Sequence, residues 1–129
     1  MSQESIESSD ILLIRELWQE HVDTPFPKGF RAKDVNGIDF VMLDADVAGC
    51  VTTFLKSGNL NLFQTARLGL CYRNARFVVP MLNDEGAAYF WRLERLAELV
   101  LKAVALENEG QHNKSLNRSG ISSFHIRKT

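Results

Sequence analysis

The sequence predicts an α+β fold, predominantly α, in which about four helices pack with one β-hairpin. Apolar residues recur at helical spacing in four separate segments, and proline or glycine punctuates the junctions between them. An Asn-Gly pair stands between two short runs near residues 30–43, the position of the expected hairpin. A chain of 129 residues, 45% hydrophobic and 24% charged, has the size and composition of one globular domain.

Residues 1–9 are polar and acidic and are expected to be disordered, which puts the folded domain at 10–107. Ser9 or Asp10 can cap a first helix, with Ile11, Ile14, Trp18 and Val22 at helical spacing and Leu13 and Leu17 beside them. That helix must stop near Thr24. Pro25 and Pro27 lack amide donors and push their preceding neighbours into extended backbone.

Asn36-Gly37 suits a type I′ turn, which needs positive φ at both central residues. On the strand that follows, Ile38, Phe40 and Met42 are expected to face one way and Asp39 and Val41 the other. The preceding run, Phe30 to Val35, alternates poorly and reads as an edge strand or loop. A second helix is expected from about Asp44 to Ser57, with Val47, Cys50, Val51, Phe54 and Leu55 forming its buried stripe. Asp44 and Asp46 would stand at its positive end, and Gly58 would terminate it in left-handed geometry.

Asn61 opens a third helix, with Gln64 three residues on completing a capping-box pattern. Leu62, Phe63, Ala66, Gly69, Leu70 and Phe77 are its expected buried side, and Pro80 fixes its end, although Phe77-Val78-Val79 also reads as a short strand. The last helix is expected from Asp84 to Glu107 behind an Asn83 cap. Tyr89, Phe90, Leu93, Leu96, Ala97, Leu99, Val100, Leu101, Val104 and Leu106 cover much more than one stripe. Such a helix must bury on two sides, at the centre of the bundle or at a subunit interface, and a twofold dimer is the simplest form of the second. From Asn108 the periodicity stops, so 108–129 reads as a flexible polar tail.

No run of about 18 apolar residues exists, and the polar, acidic start lacks the regions of a signal peptide, so a cytoplasmic protein is expected. Cys50 and Cys71 read as small core residues, since the cytosol is reducing and no CxxC spacing occurs. Net charge is −1, which argues against a nucleic-acid coat. The charge is unevenly spread: residues 1–50 carry 10 acids and 4 bases, residues 51–129 carry 6 and 11. Opposite faces can neutralise each other within the fold or between subunits.

No nucleophile elbow, HExxH, P-loop or GxGxxG occurs, and two of the three histidines, His112 and His125, fall in the tail, so no catalytic residue and no cofactor is assigned. Asp39, Asp44 and Asp46 are the best acidic cluster, suited to Mg²⁺ or general acid–base work, but the simpler account is that Asp44 and Asp46 cap and charge a helix start and Asp39 faces solvent. Arg67, Arg73 and Arg76 are the best basic group, able to hold a carboxylate or phosphate. Trp91 shares a charged face with Arg95, Glu98 and Lys102, where tryptophan suits a partner or ligand contact, and Tyr89 adds to the aromatic turn beside it.

The segment Asn113-Lys114-Ser115-Leu116-Asn117-Arg118-Ser119-Gly120 resembles the translated recombination-site ends of proteins encoded by integron gene cassettes. That resemblance implies a mobile bacterial accessory gene and no particular activity. The expected function is a non-enzymatic, homo-oligomeric interaction module with self, another protein or a small anion as partner. The alternatives are a small metal- or anion-dependent enzyme or binder, and the antitoxin of a mobile toxin pair.

Overall fold

The first helix, α1 (Ser2–Asp23), stops just before Pro25 and Pro27, as expected. Thr24 closes its end, donating its amide to the His21 carbonyl (3.1 Å) and its hydroxyl to that of Glu20 (2.6 Å). The computed structural model describes residues 2–119, with side chains described at 10–83 and 86–110. Helix α1 begins at Ser2, so the segment read as disordered is helical up to the domain. No proline or glycine interrupts residues 2–23.

The hairpin forms, with Asn36 at φ 52° and Gly37 at φ 81° in its turn. Its strands are minimal: β1 (Asp34–Val35) pairs antiparallel with β2 (Ile38–Asp39), setting Asp34 opposite Asp39 and Val35 opposite Ile38. Helix α2 (Phe40–Ser57) starts four residues earlier than expected. The reason is Asp39, whose carboxylate accepts the Met42 amide at 3.0 Å and caps the helix. The expected strand alternation therefore fails at Phe40 and Met42, which become helical, the first buried and the second exposed. Val47, Cys50, Val51 and Phe54 form the buried stripe, joined by Phe40 and Leu43. Gly58, at φ 82°, ends the helix by returning its amide to Phe54.

Helix α3 (Leu62–Val78) has the expected capping box, with the Gln64 amide on Asn61 (2.7 Å) and the Asn61 amide on the Gln64 side chain (2.9 Å). A 3₁₀ turn at Val79–Met81 follows around Pro80, in place of the short strand. The helix is turned over relative to expectation. Leu68, Cys71, Ala75 and Val78 are buried, whereas Leu62, Phe63, Ala66, Leu70 and Phe77 face outward. The sequence carries apolar residues on both sides of α3, and periodicity alone does not say which side meets the core.

Helix α4 (Asp84–Ser119) packs against α1, α2 and α3 and is the central helix. Most of its broad apolar surface is thereby covered: Tyr89, Phe90, Leu93, Leu96, Ala97, Leu99, Val100 and Val104 are buried, whereas Trp91 and Leu106 stay exposed. It runs past Glu107 into the segment read as a loose tail and takes in Asn113–Ser119. Gly120 and residues 121–129 lie outside the described residues. At its start Gly86 lies against Phe30, and a Cβ there would overlap the ring. Phe30 belongs to an aromatic cluster with Phe26, Phe40, Tyr89 and Phe90, which seats the loop after α1 and the hairpin on the bundle.

Candidate functional site

Where α1, α2 and α4 converge, three polar side chains meet inside the bundle. His21 Nε2 lies 2.9 Å from Asp44 Oδ1, and the Tyr89 hydroxyl donates to Asp44 Oδ2 at 2.9 Å. Trp18 stacks on the imidazole (centroids 5.6 Å apart), and Tyr89 leans on it from the other helix at 4.6 Å. His21 is 5% exposed. The contact to a carboxylate makes Nε2 the donor, so a neutral ring carries its proton there. Nδ1 is then buried and has no hydrogen-bond partner. Burial, and secondarily the bond to Asp44, pushes the Tyr89 hydroxyl well above its ordinary range, which keeps it a donor.

This constellation ties three helices together, and both of its donors are spent on one carboxylate. His21 lines neither of the clefts nearby, one of about 460 Å³ walled by Leu17, Glu20, Val79, Ala87, Ala88, Trp91 and Arg92, the other of about 390 Å³ between residues 24–28 and Tyr89. The arrangement is a clamp: Tyr89 reaches the wall of the second cleft, and its hydroxyl is turned to Asp44. No local pattern announces it, because the partners stand 23 and 45 residues apart.

The three aspartates proposed as metal ligands serve separate ends. Asp39 caps α2, Asp44 holds His21 and Tyr89, and Asp46 lines a groove between α2 and α3. Asp44 and Asp46 are two residues apart on one helix and so point to different sides. Among the described residues no group of three or more His, Cys, Asp or Glu is placed to hold a metal ion.

Of the proposed contact residues, Tyr89 is buried in the clamp, and Arg95 is engaged by Glu98 at 2.9 Å one turn away. Trp91 is 51% exposed and walls the cleft beside α1, next to Arg92, which reaches Glu20 and Thr24. Arg73 and Arg76 lie on α3, both exposed. Arg76 stands over the Tyr72 ring at 5.7 Å, as Arg67 does over Phe63 at 5.3 Å. Glu94 is held above its usual range by burial, with Arg76 drawing it partly back. Cys50 and Cys71 are free and buried; burial raises both thiols, Cys71 to about 11, which makes them inert core residues.

The outer face of α3 is the largest departure from the expected arrangement. Leu62 is 86% exposed, Phe63 72%, Leu70 53% and Phe77 45%, and Met81 extends the apolar surface beyond the helix. Phe63 and Arg67 also form one wall of the groove of about 390 Å³ whose other wall is Ala45, Asp46, Gly49 and Thr53 of α2. Compared with protein-family models, curated proteins and solved structures, the chain has no match.

Proposed function

We propose that the chain is a non-enzymatic interaction module whose working surface is the outer face of α3. The observation that carries this reading is the exposure of Leu62, Phe63, Ala66, Leu70 and Phe77 on a helix already anchored by another face. Covering such a stripe releases the water held against it, which is the usual driving force of protein association. The clamp of His21, Asp44 and Tyr89 supports the reading from the other side, since its chemistry is used up in joining helices. The last helix gives most of its apolar surface to α1, α2 and α3, so the outer face of α3 is the better-supported place for association.

The likeness of residues 113–120 to a cassette read-through supports placing the module among mobile bacterial accessory genes, with the cytoplasm as its compartment. Antitoxin action is one form that such a module takes. The test is a pair of variants, Leu70→Ser and Phe77→Ser, assayed for binding to a set of amphipathic helical peptides of differing charge. Binding by the wild type that both variants lose, at melting temperatures within about 2–3 °C of wild type, is the expected result. No binding and no self-association, together with a thermal shift on adding phosphate or a divalent metal, would contradict it.

A further inference from the structure

The outer face of α3 has a seven-residue repeat. Phe63, Leu70 and Phe77 recur at intervals of seven, with Ala66 and Arg73 three residues after the first two. This is the spacing of one strand of a coiled-coil pair, in which the apolar seam gives affinity and the charges beside it choose the partner. Here every charge on the helix is of one sign: Leu62–Val78 contains Arg67, Arg73 and Arg76 and no acid. Among the described residues none of the three makes an ion pair, and Arg73 makes no hydrogen bond or ring contact either.

We infer that this face takes an acidic amphipathic helix from another protein, an inference that rests on the interaction-module reading above. The occupant's apolar residues would meet Phe63, Ala66, Leu70 and Phe77, and its Asp or Glu side chains would reach Arg67 beside the seam and Arg73, which stands in the seam itself. A second copy of this chain fits poorly. A symmetric pairing of two α3 helices brings arginine into the seam and beside it from both copies, and neither helix supplies an acid to meet it. The length agrees with helical docking, since 17 residues span about 25 Å, a little over two heptads.

The experiment uses the full chain and two three-heptad helical peptides, both with Leu in the seam, one carrying Glu on both flanks and the other Lys. The wild type binds the Glu peptide at least about tenfold more tightly than the Lys peptide, and the preference weakens as salt rises. The double variant Arg67→Glu with Arg73→Glu reverses the preference; Arg76 is left alone because it sits in the last turn, where it favours the helix. Equal binding of both peptides, lost in Leu70→Ser, overturns the acidic partner and leaves the interaction module standing. Self-association by light scattering, or binding to phosphatidylglycerol vesicles, that Leu70→Ser abolishes while neither peptide binds, overturns it in favour of a second copy or a lipid surface. Failure of every arm overturns both.

Discussion

Asp44 accepts from two helices at once, and this one carboxylate explains why a histidine and a tyrosine are buried in so small a core. Deleting it would leave two buried donors unmet, at a cost of about 1–3 kcal/mol. Asp44→Ala and Tyr89→Phe should therefore be coupled, by about 0.5–3 kcal/mol in a double-mutant cycle from urea unfolding; simple additivity would remove the clamp from the account. The same tyrosine sets the alkaline limit. Its folded pKa lies above the unfolded value of about 10, so its contribution to stability is complete below that pH and falls as pH rises beyond it. Cys71, raised from 9.0 to about 11, acts in the same direction from about pH 9 upward. Tyr89→Phe should accordingly lose less stability than wild type between about pH 9 and 11, and equal losses would contradict the assignment.

Among the elements, the caps and turns written in adjacent residues were the most legible in the sequence and the helix faces the least, while α1 and α2 start earlier and α4 ends later than expected. The Asn61–Gln64 capping box and the Asn36-Gly37 turn formed as expected, because each is decided by residues within four positions of one another. The start of α2 was misread because Asp39 looks like a strand residue until its carboxylate is seen on the Met42 amide. The orientation of α3 was not legible at all. Leu62, Phe63, Ala66, Leu70 and Phe77 form as good a stripe as Leu68, Cys71, Ala75 and Val78, and only tertiary packing decides between them. Leu68→Ala should then cost about 2–5 kcal/mol and Leu70→Ala less than about 0.5, measured by denaturant unfolding. At the start of α4, Gly86→Ala should destabilise by about 1–3 kcal/mol although alanine favours helices, because the new methyl meets the Phe30 ring. A more stable Gly86→Ala protein would show that the aromatic cluster gives way.

For the whole molecule, the central position of α4 separates fold from function. It gathers the apolar faces of α1, α2 and α3 into one core, which leaves the outer side of α3 unneeded for folding. A face that folding does not need, lined with aromatic and aliphatic side chains and bordered only by arginine on its own helix, is available for recognition. The candidate contacts read from sequence are scattered in place: Tyr89 lies in the core, Arg95 in an ion pair with Glu98, and Arg73 and Arg76 on the exposed side of α3. The most direct test of the central claim is amide and methyl NMR of the labelled full chain titrated with the Glu-flanked three-heptad peptide. The expected shifts are concentrated at Phe63, Ala66, Arg67, Leu70, Arg73 and Phe77, with the amides around His21, Asp44 and Tyr89 unmoved. Shifts centred on Trp91 and the cleft beside α1, with α3 silent, would contradict it.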